Sequence, residues 1–526
     1  MIARISRVLA IAGIATAIAC ALLMVRFPWI VGPPSWRWPY EANALWPRAI
    51  SCVIPFALLA FVARAWIGER RVEERGVDER RDDGLPEDAR RTESRLDEKP
   101  VDRPRREWLF LTFVVLIAIS LEIAFLGLSP MGPLTLPLIH VVPWVTGYFW
   151  AARSVVSLSS LLGTYPDVLL AQHGNLPGHV VTHPPGLLSI NYLVLSFFRS
   201  SEPATEAALG VGRLLGVSRD AINGATPPEL ATLITMGLLV VVASCAAIVP
   251  AYWLARRIGG VTAARTAALL LAVIPSRLLF AGEFDAAFPL LILAALLLVG
   301  EGRGPWSLAA AGALCGLLCL LTFVASFFLL LIAIVEFLLR PKVSTRGAAL
   351  RVLLLGAGFA APLAVFQLAT GCSIPGVFLA AFKIQNEVLI PEQERTWLTW
   401  VFWNLADFFV FIGPAVAVIF ASAVASAIRA VRSHGMGALP SMHVRFTIAV
   451  VVFILLLDLS GLIPAETSRV WLFLVPPVVI AAVHAGTPAA GSISSRAGVL
   501  AILALQFAFA LVAKATLLMI DVRLPG

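Results

Sequence analysis

"LLSINYLVLSFF", residues 187–198, is the apolar segment on which the topology turns. As a helix its twelve residues would reach about 18 Å, short of a hydrocarbon core of about 30 Å. If it crossed a bilayer, every later loop would change sides. The basic pairs Arg256/Arg257 and Arg340/Lys342 would then lie outside, against the tendency of Lys and Arg in short loops to stay in the cytoplasm. The segment therefore reads as a helix lying in the outer interface, anchored by Tyr192 and Arg199.

The rest of the chain supports that frame. Of its 526 residues, 59% are hydrophobic and only 14% are charged, where a soluble protein carries roughly 25% charged residues. The apolar runs are continuous, whereas the strands of a membrane barrel alternate apolar with polar residues. The fold class expected is an all-α polytopic membrane protein with interfacial helices in long outer loops. Thirteen spans are expected, near 8–25, 46–66, 108–128, 229–254, 263–281, 286–300, 305–321, 323–340, 348–369, 401–428, 446–463, 470–486 and 497–517. Arg4 and Arg7 set the N-terminus inside, and alternation then puts Arg70/Arg71, Arg103/Arg105/Arg106, Arg256/Arg257, Arg340/Lys342/Arg346 and Arg429/Arg432 inside as well. The first 25 residues read as a retained span, because their apolar stretch exceeds a signal h-region and no small-x-small cleavage site follows.

The net charge of +8 lies largely in these loops, where it sets orientation and does not point to nucleic acid. Of the six cysteines, five lie in apolar runs and Cys372 is alone in its loop, so no structural disulfide is expected.

Four divisions follow: two helices in 1–67, a disordered charged cytoplasmic linker at 68–107, a core at 108–369, and C-terminal helices at 370–526. The linker is dense in both charges and cannot bury a core. Polar segments gather on the outer side in the loops 129–228, 276–288, 370–400 and 464–471. Loops as long as the first are usually functional.

The first loop carries Asp167 in "TYPDVLL" and a run of three histidines within eleven residues, His173, His179 and His183. Imidazole is the commonest zinc ligand. Pro184 and Pro185, however, interrupt an HxxxH helix face, and no Cys or Glu stands nearby as a further ligand. In "THPPG" (182–186), Pro184 pushes His183 into extended backbone, Pro185 stiffens the next step and Gly186 lets the chain turn into the interfacial helix. The bland reading of the same motif is a helix stop with His183 facing water. "GEFDA" (282–286) sets Glu283 and Asp285 in a tight turn beside Arg277; its bland reading is a helix cap. "ETSRVW" (466–471) offers Glu466 and Arg469 at i, i+3, with Trp471 expected at the interface. "KIQNEVLIPEQERTWLTW" (383–400) reads as a second interfacial helix with Trp397 and Trp400, and "GPPSWRWPYEANALWPR" (32–48) as interface anchoring.

The order of "THPPG" (182–186), "YWLARRIGG" (252–260) and "GEFDA" (282–286) resembles the GT-C membrane glycosyltransferases, in particular their protein O-mannosyltransferase and aminoarabinose-transferase branch. The resemblance covers about residues 108–340 and, more loosely, the chain to 520. It implies a polyprenyl-phosphate sugar donor, an acceptor glycan, lipid or protein, and a site on the outer face of what is expected to be a bacterial plasma membrane. It also implies one acidic residue in the first outer loop and another in the next. The second acid matches Glu283 and Asp285. The first matches poorly, since residues 129–166 hold no acid and Asp167 is the only one before Glu202.

Sugar transfer from a lipid phosphate builds positive charge at the anomeric carbon and negative charge on the leaving phosphate. A carboxylate can take the acceptor's proton, and cations can stabilise the phosphate. The catalytic candidates are Asp285, Glu283, Asp167 and His183. The candidate substrate-binding residues are Arg277, Lys383, Arg395, Arg469 and His179. A divalent metal is an open option that no residue here demands. Two alternatives stand beside the enzyme: a transporter or lipid flippase, and an inactive GT-C-like assembly protein. A transporter needs polar sites at mid-membrane, and Glu122, Glu336, Asp407 and Asp458 lie in or near spans.

Overall fold

A kink at Gly259–Gly260 shows how this sequence builds its fold. Gly260 has φ +82°, a conformation that a residue with a Cβ rarely adopts. The chain therefore kinks within two residues and divides Ile248–Leu271 into two apolar helical stretches. The computed structural model describes residues 2–33, 37–41, 48–67, 103–172, 174–218, 222–300, 303–339, 344–389, 391, 395–463 apart from 435–440, 465–483, 495–520 and 522. Among these, every regular element is helical, and one isolated bridge pairs Tyr40 with Leu517. Among the described residues seven segments are long and apolar enough to cross a bilayer, and further apolar helices of 10–17 residues pack among them. The protein is an all-α integral membrane protein.

Most expected spans fall on helices: Ile2–Met24, Ile50–Trp66, Arg103–Gly127, Pro227–Ala246, Pro289–Leu297, Trp306–Cys319, Ala325–Leu339, Thr345–Thr370, Met442–Ser460, Val475–Val483 and Arg496–Thr516. Three readings need correction. The segment expected as one span at 401–428 is two helices, Trp397–Phe411 and Pro414–His434. They break at Gly413, where the side chain of Gln506 crowds the backbone and donates to the Ile412 carbonyl at 2.8 Å. The segment expected at 263–281 ends its helix at Leu271, and Pro275 starts a separate turn, Pro275–Leu279. Residues 103–107, assigned to the linker, begin a transmembrane helix because Glu107 is drawn into a buried ion pair with Arg265 at 2.6 Å. The remainder of that linker, 68–102, lies outside the described residues, as does His173.

Buried polar contacts sort into two sets at opposite ends of the bundle. At one end, Glu107 binds Arg265 and Tyr252, Arg265 donates to the Trp66 carbonyl, Arg496 donates to the Ile67 carbonyl, and Glu336 binds Arg351 and the amide of Gly300. Arg106 and Arg265 also lie over the ring of Trp66. At the other end, Lys514 donates to Ser129 Oγ at 2.7 Å, Arg48 to the Ser129 carbonyl, and Trp38 to Asp407. This grouping is the one that alternating crossings require.

The segment 187–198 forms the helix Gly186–Ser200. Its first amide donates to Leu320, just past the end of Trp306–Cys319. Near its other end, Arg199 lies 3.9 Å from Glu229, in the first turn of Pro227–Ala246. Leu320 and Glu229 belong to the same end of the bundle, so this helix lies along that end and does not cross. Thr226 and Glu229 form a capping box around Pro227, which fixes where the crossing helix begins.

Candidate functional site

The loops at the Ser129 end enclose a cavity of about 470 Å³. Segments from all four polar loops line it, and so do the turn at 322–324 and Phe327 of the helix Ala325–Leu339. From the first loop come His179, in the short helix Gly178–Thr182, and His183. His183 is extended, at φ −121° and ψ 159°, as the following Pro184 requires. Its ring Nδ1 lies 3.1 Å from Thr182 Oγ1. The expected role of Gly186 is corrected: it is required by close approach and not by a turn, since a Cβ there would stand 2.1 Å from the Leu320 carbonyl oxygen.

From the turn before Pro289–Leu297 comes Asp285. Glu283 is buried in an adjoining chamber of about 20 Å³, which it shares with Tyr148, His179, His183, Asp285 and Arg469. From the turn 465–470 come Glu466 and Arg469, and Arg395 precedes the helix Trp397–Phe411. The remaining wall is aromatic: Phe323, Phe327, Phe378 and Phe382. The cavity thus has a charged side and an apolar side.

Arg469 is the hub of the charged side. Its Nη2 donates to Glu466 Oε2 at 2.6 Å, while Glu283 and Asp285 each lie 3.9 Å from the guanidinium. Those two distances are too long for hydrogen bonds, and the buried Nε of Arg469 makes none. Glu466 also accepts from Arg395 at 2.9 Å, so one carboxylate joins two guanidiniums.

The electrostatics follow from burial set against Arg469. Burial raises Glu466, but Arg469 and Arg395 outweigh it and hold the carboxyl down to about 2. Burial lifts Asp285 to about 6, with Arg469 opposing the rise. Glu283 is lifted by burial to about 8, with Arg469 opposing the rise and the charges of Asp285 and Glu466 adding to it. Burial lowers His183 to about 4 and His179 to about 3, and Arg469 contributes to both. Near neutral pH, Asp285 and Glu466 are therefore ionised, Glu283 is mostly protonated, and both imidazoles are uncharged.

Of the sequence candidates, Asp285, His183, His179, Arg395 and Arg469 come together on one cavity, with Glu283 directly behind them. Three do not join them. Asp167 is exposed on the helix Tyr165–Gln172 and lines neither chamber. Lys383 is exposed on the outer side of Ile374–Ile384, whose Ala381 and Phe382 face the cavity instead. Arg277 points into the bundle and pairs with Glu122 at 2.7 Å, donating also to Ser244 and Cys245. A lone buried carboxylate attracts the nearest cation strongly, so Arg277 is not available to a ligand beside Glu283.

Sequence reasoning read Glu466 only as an i, i+3 partner of Arg469, and it assigned no site role to Tyr148 or to the break between 305–321 and 323–340, whose Thr322 and Phe323 line the cavity. Trp471, expected at the interface, is fully buried against Phe408. Trp400 is buried as well.

A divalent metal does not fit this donor set. Among the described residues no group of three or more His, Cys, Asp and Glu is arranged to hold one. A guanidinium stands between the carboxylates, where a metal ion would suffer direct repulsion. Comparisons with protein-family models, curated proteins and solved structures return no match for this chain.

Proposed function

We propose that the protein is a GT-C-type glycosyltransferase. It moves a sugar from a polyprenyl-phosphate donor to an acceptor at the outer face of a bacterial plasma membrane, with thirteen spans and the cavity end outside. The observation that carries this reading is the two-sided cavity. Arg469 and Arg395 lie within one polar wall, and four phenylalanines form the other. An amphiphile with an anionic headgroup and an apolar chain matches that division.

In the reaction, the acceptor O–H attacks the anomeric carbon, Asp285 takes the proton, and the sugar–phosphate C–O bond breaks. Its electron pair leaves on the phosphate, beside Arg469 and Arg395. His183, uncharged and fixed by the Pro-Pro corner, orients the headgroup by hydrogen bonding and adds no charge. Asp285 is the better base because it is ionised at neutral pH, while Glu283 holds its proton.

The transporter or flippase reading draws on acids in the spans. Glu122 is paired with Arg277, Glu336 with Arg351, and Asp407 is filled by donors from Trp38, Thr467 and Ser468. Those contacts support structural roles. The inactive reading draws on the first-loop acid, since Asp167 stands away from the cavity. One experiment separates the three readings: incubation of the protein in nanodiscs with a polyprenyl-phosphate sugar and a lipid or glycan acceptor. Transfer by the parent protein, loss of turnover but not binding in Asp285→Asn, and loss of binding in Arg469→Ala are expected. Donor binding without transfer would favour the inactive reading.

A further inference from the structure

We propose that Trp38, in the connector between the first two helices, is a positioning residue for Arg469, which makes the N-terminal helix pair part of the site. The inference rests on reading the cavity as a lipid-phosphate site. Sequence alone assigns 32–48 to interface anchoring, yet Trp38 is 5% exposed. Its indole Nε1 donates to Asp407 Oδ1 at 2.9 Å. The other oxygen of Asp407 accepts from the amide of Ser468 at 2.6 Å and from Thr467 Oγ1 at 3.1 Å. Thr467 and Ser468 open the four-residue helix that carries Arg469.

That turn needs to be held. Ala465 and Glu466 have φ +75° and +54°, values that cost energy in residues with a Cβ and persist only where the surroundings enforce them. Asn404 supplies part of the hold, accepting from the Ala465 amide at 3.1 Å and, through its carbonyl, from Thr467 Oγ1 at 2.7 Å. Asp407 supplies the rest, and Trp38 fixes Asp407. The indole ring also packs on Phe280 and Phe411, at 5.3 and 6.5 Å between centroids. The Phe280 carbonyl accepts from the amide of Glu283. Trp38 thus touches the supports of both the Arg469 turn and the Glu283–Asp285 turn. A charge-assisted hydrogen bond to a buried carboxylate is among the stronger ones, so its loss frees Asp407 to rotate and Ser468 to move.

The test uses the full chain in nanodiscs, with Trp38→Phe, Asp407→Asn and the control Trp29→Phe. Trp29 lies on the same connector and stacks on Trp403. The first readout needs no ligand: hydrogen exchange by mass spectrometry over residues 465–471. The second is binding of farnesyl phosphate. Trp38→Phe keeps an aromatic ring in place and is expected to fold, so it carries the test if Asp407→Asn does not. Expected are faster exchange at 467–469 and about tenfold weaker binding, the scale of one charged hydrogen bond. Trp29→Phe changes neither, and Trp38→Phe weakens binding no further in an Arg469→Ala background. Unchanged exchange in Trp38→Phe, or equal effects from Trp29→Phe, overturns the proposal. Faster exchange in a protein whose parent form does not bind farnesyl phosphate upholds the positioning role and removes the lipid-phosphate reading.

Discussion

The amide of Gly186 donates a hydrogen bond to the carbonyl of Leu320 at 2.9 Å. This contact ties the His-Pro-Pro corner to the turn that carries Thr322 and Phe323 into the cavity. A methyl group on Gly186 would stand 2.1 Å from the Leu320 oxygen and 2.9 Å from Leu321 Cδ2. Both neighbours are backbone or packed side chain, so the chain has to move. Gly186→Ala is expected to destabilise the protein by about 1–3 kcal/mol, seen as a lower melting temperature in detergent. It should also weaken donor binding, because His183 shifts with the corner. A variant that melts and binds like the parent would show that the two segments part easily.

Orientation gives the second expectation. Asn175 is exposed in the first loop, and Gly259 is exposed at the turn near the basic end. In a background without native cysteines, Asn175→Cys should react with a membrane-impermeant maleimide on intact cells. Gly259→Cys should react only after permeabilisation. Labelling of both from outside would mean that Gly186–Ser200 crosses after all.

Removal of residues 72–100 gives the third. Arg265 donates to the Trp66 carbonyl and pairs with Glu107, so one side chain already holds the two flanks of the charged segment together. Phe110 packs on Trp66 at 5.4 Å between centroids. Closing the gap with a short loop costs little entropy. The deletion is expected to leave the melting temperature and sugar transfer close to the parent values. Loss of folded protein would reveal that the segment packs on another surface.

Much of this was legible because hydropathy and charge act locally along the chain. Most of the apolar helices, the helix at 187–198 and the converging loops follow from segment length and from where Arg and Lys fall. The site was legible in its members more than in its pairings. Asp285, His183 and Arg469 were found from residue type, yet Arg277 was misassigned because its partner, Glu122, is 155 positions away in a different helix. Trp38 and Asp407 are 369 positions apart, and no periodicity reports such a contact. The break at Gly413 was hidden for a similar reason: the side chain that crowds it belongs to Gln506.

The last expectation concerns Asp285 and pH. Burial lifts this carboxyl to about 6, and Arg469 limits the rise. In its proposed role of general base it must be ionised, so transfer is expected to increase with pH up to about 6 and level off above it. Below that value the carboxyl is protonated and cannot accept the acceptor's proton. Asp285→Asn should lower turnover by about 10²–10⁴-fold and abolish the acidic limb, while expression and melting stay near normal because the side chain is 21% exposed. Glu283→Gln copies the protonated form that Glu283 holds below about 8, and should cost much less at pH 7. Asp167→Asn, changed on an exposed helix away from the cavity, should cost nothing. If Glu283→Gln proves as damaging at pH 7 as Asp285→Asn, Glu283 takes over the role of base. If the acidic limb survives in Asp285→Asn, the group titrating near pH 6 is not Asp285.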